Sequence, residues 1–381
     1  MPKEVDKVAA ERLSRSDQRG VQLDLRKCSG PSLASLSLSV IVPVHNGGES
    51  FRKCLSSLTA AVPAPQELIV VADGDTDGSG LLAQEFGAQV LGIPGPGGPA
   101  RARNWGARAA CGDILFFVDA DVTIPADAVS QIVALFEHEP DLAALFGSYD
   151  DEPGATNFLS QYKNLFHHYV HQTAREEAST FWGACGAIRR EVFLTLGGFD
   201  ERYRWPSIED IELGYRLKQA GKKIRLCKTL QVKHWKRWGV VSLLQADFFH
   251  RALPWTDLIL RKRCLPNDLN LQLSSRVSVA LTYGLLFAGV GTWWWSGLFV
   301  LVGVAVVLLL SLNASLYRFF WHKRGFRFAV QVIPWHWLYY FYSGLAVAIG
   351  GFSFLFRGDS RAKIPTVAVI EGQPPAERHL E

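Results

Sequence analysis

Cysteine is scarce and shows no pairing pattern: the six residues at 28, 54, 111, 185, 227 and 264 form no Cys-x-x-Cys and no Cys/His metal spacing. That excludes a zinc module and a disulfide framework, and it fits a reducing, cytosolic setting for the soluble part. The first 35 residues are charged and lack an apolar run, which argues against a cleaved secretory signal. Acids are nearly missing from Gly214 to Arg263, where thirteen Lys/Arg stand against Asp247 and Asp257 alone. Such a stretch seeks a polyanion, whether phosphates, nucleic acid or an anionic lipid surface. Formal charge vanishes altogether over the 41 residues between Arg276 and Arg318. As helix they would extend about 60 Å, or two crossings of an apolar layer about 30 Å thick.

What is present instead is apolar mass: 48% hydrophobic residues, with 12 Trp and 23 Phe, exclude disorder in a chain of 381. The uncharged run predicts a helical hairpin turning near Trp293-Trp-Trp-Ser-Gly297, since tryptophan suits a half-wet membrane interface. A second uncharged run, Phe328 to Phe356, predicts a third span with Pro334 near its start. The expected spans are about 275–294, 296–316 and 333–356. Arg261, Lys262, Arg263 and Arg276 precede the first span, and Arg318, Lys323, Arg324 and Arg327 follow the second. These basic loops place both ends, and the large N-terminal domain, on the cytoplasmic side of the inner membrane. The tail after residue 356 then lies outside, against the pull of Arg357, Arg361 and Lys363.

Leu38-Ser-Val-Ile-Val-Pro-Val44 reads as a buried strand, His45-Asn-Gly-Gly48 as a turn, and about Ser50 to Leu58 as a helix. Glu67-Leu-Ile-Val-Val-Ala72 predicts a second strand ending in the loop Asp73-Gly-Asp-Thr-Asp-Gly-Ser79. This alternation points to a parallel sheet with crossover helices, whose ligands sit at the carboxyl ends of strands. A further strand-like run, Ile114-Leu-Phe-Phe-Val118, ends in Asp119-Ala-Asp121. On extended backbone the two carboxylates face one way. There they can hold a divalent cation that in turn holds a diphosphate. Taken alone, the pair reads more readily as a solvated acidic turn, so the metal reading depends on its surroundings.

Gly95-Pro-Gly-Gly-Pro-Ala-Arg101-Ala-Arg103-Asn104 opens a helix through Ala110 and offers free amides and guanidinium groups, the parts that reach a phosphate. A plain loop with solvent-facing arginines is the alternative. After a helix near Asp127 to His138, a less regular region contains His167, His168 and His171; if helical, His167 and His171 share a face, as metal ligands or as ordinary partly buried histidines. Ser207-Ile-Glu209-Asp210 puts carboxylates in the first turn of a helix ending before Gly221. Asp210 can serve there as a base toward a cleft, or with Ser207 form a capping box. In His234-Trp-Lys-Arg237-Trp238 the arginine can anchor between two indoles. Residues 239–260 have apolar positions at helical spacing with cationic flanks, as interfacial helices do, although core packing would show the same pattern.

In order along the chain, Ser39-Val-Ile-Val-Pro-Val-His-Asn46, Val70-Val-Ala-Asp-Gly-Asp-Thr-Asp-Gly-Ser79, Arg103-Asn104, Asp119-Ala-Asp121, Gly198-Phe-Asp200 and Glu209-Asp210 resemble an inverting family 2 glycosyltransferase over about residues 37 to 240. The resemblance implies an α/β fold of GT-A type over 37–235, a Rossmann-like mixed, mostly parallel sheet with flanking helices. Interfacial amphipathic helices over 236–273 and a transmembrane region over 274–356 would follow, with a charged segment at 1–36 and a tail at 357–381.

Carried over by position, the resemblance implies that Pro43 and Asn46 line a nucleotide pocket and that Asp73 recognises the base; Ala72 stands where the family often has a further acid. Arg103 should lie near the ribose or diphosphate, with Asp119 and Asp121 binding the sugar nucleotide and its Mg2+ or Mn2+. Asp210, with Glu209 beside it, matches the general base that deprotonates the acceptor hydroxyl. His234-x-x-Arg237-Trp238 is similar to the Gln-x-x-Arg-Trp signature of processive synthases, and Cys185-Gly186 to their acceptor-lining turn. With His in place of Gln, His234 is expected on the diphosphate or the metal, Arg237 on the donor and Trp238 on the acceptor. The expected activity is metal-dependent transfer of a sugar from a nucleotide-diphosphate sugar to an amphiphilic polyprenyl- or glycolipid-type acceptor. Membrane lipids are expected partners and nucleic acid is not. A processive polysaccharide synthase, a nucleotidyltransferase and a membrane scaffold without catalysis are the competing readings.

Overall fold

The computed structural model describes residues 36–356; the expectations for the first 35 residues and for the tail lie outside that range. Strands β1 (Leu38–Val44), β2 (Glu67–Asp73) and β4 (Ile114–Val118) are runs of Val, Ile, Leu and Phe, nearly all buried. Such runs belong in a sheet covered by helices on both faces. With β3 (Gln89–Ile93), β5 (Val122–Thr123), β6 (Leu142–Tyr149), β7 (Cys185–Arg189) and β8 (Lys223–His234), they form one eight-stranded sheet in the order β3-β2-β1-β4-β7-β6-β8-β5. Four pairings are parallel; β7 runs antiparallel to both neighbours and β5 antiparallel to β8. The carboxyl ends of β1, β2 and β4 deliver Asn46, Asp73 and Asp119 to one edge of the sheet, the side where ligands of open α/β sheets sit.

Helices α1 (Gly48–Thr59), α2 (Ser79–Glu85), α3 (Pro99–Ala109), α4 (Ala128–His138), α5 (Phe158–Thr173), α6 (Arg190–Thr195) and α7 (Glu209–Gln219) complete the α/β part. Two apolar cores lie on opposite faces of the sheet, one built around Val40, Val42 and Phe116, the other around Ile41, Val71 and Phe117. The region read as less regular is in fact α5. Its buried face mixes apolar residues with polar ones, four of which meet backbone carbonyls: Gln161 donates to Ala155, Asn164 to Asp150, while the rings of His168 and His171 meet the carbonyls of Tyr149 and Gly147. A helix whose inner face is partly polar gives only a broken hydrophobic period to read.

Beyond β8 come α8 (Val240–Gln245), a π-helical turn (Ala246–Ala252), α9 (Leu253–Lys262), α10 (Leu273–Gly291), α11 (Leu298–Leu312), α12 (Ala314–Arg324) and α13 (Phe326–Phe356). Among the described residues α10 and α13 are long and apolar enough to cross a membrane, and α11 with α12, bent by 60°, makes a third if the pair is one span. The predicted second span therefore breaks at Asn313, whose amide bonds Leu309 O and Ser278 Oγ. The predicted third span starts earlier, at Phe326, so Pro334 lies inside the helix. Helix α9 packs inward: Trp255 and Leu258 meet Ile208 and Tyr215 of the α/β part, so one face of the expected interfacial segment is ordinary core. Its neighbours Val241 and Phe249 remain exposed.

Helix α7 seats directly on the chain before β7. A Cβ on Gly214 would lie 2.4 Å from Phe181 N and 2.5 Å from Thr180 Cα, so only glycine permits this approach. Gly214→Ala is expected to cost about 1–3 kcal/mol through overpacking, seen as a lower midpoint in denaturant unfolding.

Candidate active site

The donor side begins at the turn after β1. Asn46 takes a left-handed conformation (φ 53°), and its Oδ1 accepts from Thr76 N at 2.8 Å, tying the loops after β1 and β2 together. His45 Nδ1 lies 2.8 Å from Asp73 O. The Asp73 carboxylate accepts from the amides of Gly97 at 2.6 Å and Gly98 at 2.8 Å. It is buried and holds the glycine-rich loop through both oxygens, so this side chain shapes the pocket wall. Pro43 is half-buried in β1, in register with Val71.

Arg103 leaves the first turns of α3 and points inward. Its Nη2 donates to Asp119 Oδ1 at 2.6 Å and its Nη1 to Glu209 Oε1 at 2.9 Å. The guanidinium also lies over the Phe199 ring, 5.4 Å from its centroid. Burial acts to lower the Arg103 pKa, but Asp119 and then Glu209 reverse that effect and raise it. Glu209 accepts a further bond from Ser207 N at 2.9 Å. Next along α3, Asn104 clamps the Gly198–Asp200 motif: its Oδ1 accepts from Phe199 N and its Nδ2 donates to Phe199 O, both at 2.9 Å.

After Asp121 the chain turns into β5, which pairs Val122 with His234 of β8. That pairing brings His234 Nε2 to 3.6 Å from Asp121 Oδ2. The imidazole stacks flat on Tyr149, 4.3 Å between centroids. Burial pushes the Asp121 carboxyl up, yet the neighbouring His234 and Lys236 bring it down to about 2, so it is ionised at neutral pH. Two carboxylates and an imidazole are a donor set that Mn2+ or Mg2+ accepts with phosphate oxygens completing the shell. The expected trio is not assembled, however. Asp119 is engaged by Arg103, and no group of three or more His, Cys, Asp or Glu among the described residues is gathered as a cage. His167 and His171, 4.1 Å apart by ring centroid, likewise belong to an aromatic stack with Trp182.

Asp210 sits half-buried in the first turn of α7, with Oδ2 accepting from Gly183 N at 3.0 Å and Oδ1 from Ile211 N at 2.8 Å. Burial, then the adjacent Glu209, raises its pKa to about 6. Ser207 does not cap this helix, because its hydroxyl donates to His250 O.

Residues 39–197 match the family model for Glycosyl transferase family 2. Over these residues the chain is similar to family 2 glycosyltransferases. It is 28% identical over 240 residues to a pre-mycofactocin glycosyltransferase of Mycobacterium tuberculosis, spanning 60% of this chain and 48% of that relative. It is 28% identical over 177 residues to a glucosyl-dolichyl phosphate glucuronosyltransferase of Haloferax volcanii, 43% of this chain and 56% of that one. The chain thus spans about half the length of these curated relatives. A Pyrobaculum calidifontis mannosyltransferase solved with GDP-Man and Mn2+ superposes with a TM-score of 0.52 at 16% identity, over 92% of this chain and 95% of that one, which shows a shared GT-A fold.

Within the matched region and just beyond it, four expected site residues have surroundings that their motifs did not show. Cys185 and Gly186 are the first two residues of β7, buried and paired with Val118 and Phe117, so they belong to the strand and the turn lies just before them. Burial raises the Cys185 thiol pKa, which makes it inert. The segment before them, Trp182-Gly183, is what faces Asp210. Arg237 is exposed, and the indoles beside it are covered by lysines, Lys53 over Trp235 and Lys236 over Trp238. Trp238 is held through its backbone by Ser160 and Asn157. Sequence reasoning missed Tyr149 and Gly183; a ring platform and a single amide carry no motif.

Arg103→Ala would leave Glu209 buried without its charge partner, and is expected to cost about 3–5 kcal/mol. Arg103→Lys should also destabilise, because one ammonium cannot replace a planar fork spanning two carboxylates. Denaturant midpoints of both variants check this.

Proposed function

We propose that the chain is an inverting, metal-dependent glycosyltransferase that moves a sugar from a nucleoside-diphosphate sugar to a lipid-linked acceptor at the membrane surface. The observation that carries this reading is Asp210: a half-buried carboxylate at a helix start, oriented by Gly183 N and raised to about 6, beside the Arg103–Asp119 end of the sheet. A base poised just below neutral pH is ionised in the cell and still basic enough to accept a proton. Asp210 takes the proton of the acceptor hydroxyl as its oxygen attacks the anomeric carbon, and the bond to the diphosphate breaks on the opposite face. One carboxylate suffices for such an inversion.

Glu209 takes a different role from Asp210. It faces Arg103 and positions that guanidinium, so it transfers no proton in this scheme. Asn46 and the loop held by Asp73 line the nucleotide, with Pro43 beneath. Asp121 and His234, with Asp119 beside them, would hold a Mn2+ or Mg2+ ion, which supplies charge neutralisation for the leaving diphosphate. The acceptor is placed in the membrane because apolar helices adjoin the domain, and because one relative is named for action on a dolichyl phosphate. Basic residues flanking α10 and α12 favour a cytoplasmic site.

Nucleoside diphosphate release by detergent-purified protein, with UDP-, GDP- and dTDP-sugars, lipid extract and Mn2+ or Mg2+, tests the reading. One donor should be turned over, chelator should abolish release, and added metal should restore it. Asp210→Asn is expected to lower kcat by about 10²–10⁴-fold, and Asp121→Asn to raise the metal requirement. Because the base must be deprotonated, kcat/KM should fall as pH drops through about 6 and level off above it. Release indifferent to Asp210→Asn would remove the assigned base.

A further inference from the structure

A cavity of about 790 Å3 lies between α9, α10 and α13 and reaches α5 and the π-helical turn of the α/β part. That volume is in the range of sites that bury a small ligand. One wall is apolar. Val279, Ala280, Tyr283 and Phe287 of α10 face it, and from Arg276 to Phe287 this wall runs about 16 Å along the helix. The other end is charged, with Lys163, Arg251 and Arg276 against Asp247 alone.

These charges are unequally used. Lys163 Nζ sits 2.5 Å from Asp247 Oδ1, and Tyr342 OH donates to the other oxygen of Asp247 at 2.8 Å, so this pair is closed. Arg251 is 3.9 Å from Asp247, at the limit of an ion pair, and its side chain is 38% exposed. Arg276 spends Nη2 on Asn267 at 2.8 Å, but its buried Nε has no protein partner. His167 Nδ1 and Asn270 Oδ1, also on the cavity wall, are buried without a partner too. Buried polar atoms in native proteins are almost always satisfied, so several orphans around one cavity point to a polar ligand group among them.

The charged end of the cavity lies near the Asp210 carboxylate, on which Arg251 acts electrostatically. His167 lies 4.9 Å from Trp182 by ring centroid, and Trp182 precedes Gly183, whose amide orients Asp210.

We propose that this cavity is the acceptor site, and that the acceptor is a lipid phosphate: its hydrocarbon chain lies along α10 and α13, its phosphate is taken by Arg251 and Arg276, and the hydroxyl whose proton Asp210 removes is then the P–OH of the attacking phosphate. The inference rests on the lipid-linked reading above and narrows it. A guanidinium with unused donors matches phosphate oxygens in pairs, whereas a neutral glycolipid would leave two cations at an apolar wall uncompensated.

The test uses the full chain in lipid nanodiscs and three probes: farnesyl phosphate, farnesol and inorganic phosphate. Farnesyl phosphate should bind, with farnesol and inorganic phosphate each weaker by about tenfold or more, since each lacks one half of the recognition. Arg251→Ala should weaken farnesyl phosphate by about tenfold and Arg251→Lys by less, while Ala280→Trp, which fills the cavity, should abolish binding. Thermal melts monitor folding; if Ala280→Trp unfolds, the Arg251 series and the probe ranking decide. Farnesol binding as tightly as farnesyl phosphate, or Arg251→Ala binding like the native chain, overturns the proposal. A second arm follows radiolabelled sugar from the donor into lipid extract. Label in the lipid fraction with an acceptor KM unmoved by Arg251→Ala sinks the cavity assignment and leaves the lipid-linked reading standing. Label only in a water-soluble product sinks both.

Discussion

Arg103 holds two carboxylates that reach it from distant parts of the chain, Asp119 at the end of β4 and Glu209 at the start of α7. Taking these charges out of water costs several kcal/mol per ion, and close, nearly saturated geometry offsets that cost. The fork of a guanidinium lets one side chain satisfy both acids at once. Because Asp210 follows Glu209 in the same helical turn, fixing Glu209 also fixes the direction in which Asp210 points. The packing of Gly214 on Thr180 and Phe181 acts in the same sense, since it seats α7 against the segment whose Gly183 amide meets Asp210. The end of β4 and the start of α7 are thereby coupled through one buried cation.

A second constraint is the short return strand β5. Only two residues long, it pairs with the end of β8 and so joins Asp121 to a histidine more than a hundred residues away. The Tyr149 ring then fixes the plane of that imidazole. His234 is thus presented edge-on to Asp121 rather than left to rotate, which is what a metal or phosphate ligand needs.

The apolar C-terminal helices are bonded to the α/β part through buried polar contacts as well as apolar ones. Tyr162 OH lies 3.2 Å from His336 Nδ1, and Tyr342 meets Asp247 of the π-helical turn. Polar contacts of this kind have few alternative partners in an apolar surrounding, so they set the register of α13 against the domain. The apolar helices and the helix that carries Asp210 therefore share one scaffold, with α9 packed between them.

The strand–turn–helix order, the strand-end acids at 73, 119 and 121, the helix-start acids at 209 and 210 and the apolar C-terminal third were legible in the residues, because local periodicity and short motifs encode them. Helix α5 was not, because its inner face is partly polar and those polar groups are satisfied only once β6 and the following loop are in place. Cys185-Gly186 reads as a turn in the residues but opens strand β7, because a short motif does not say whether its residues are paired in a sheet. Glu209 and Asp210 look alike on the page; Arg103 approaches one of them and Gly183 the other, and that difference separates a positioning carboxylate from a proton acceptor. Likewise Asp73 reads as a free ligand until the folded Gly97–Gly98 loop turns two amides onto it. The sequence by itself determined which chemistry this chain carries, since reactive groups are residue types. Tertiary structure decided which of those groups remain available, because availability depends on partners that only the folded chain brings within hydrogen-bond reach.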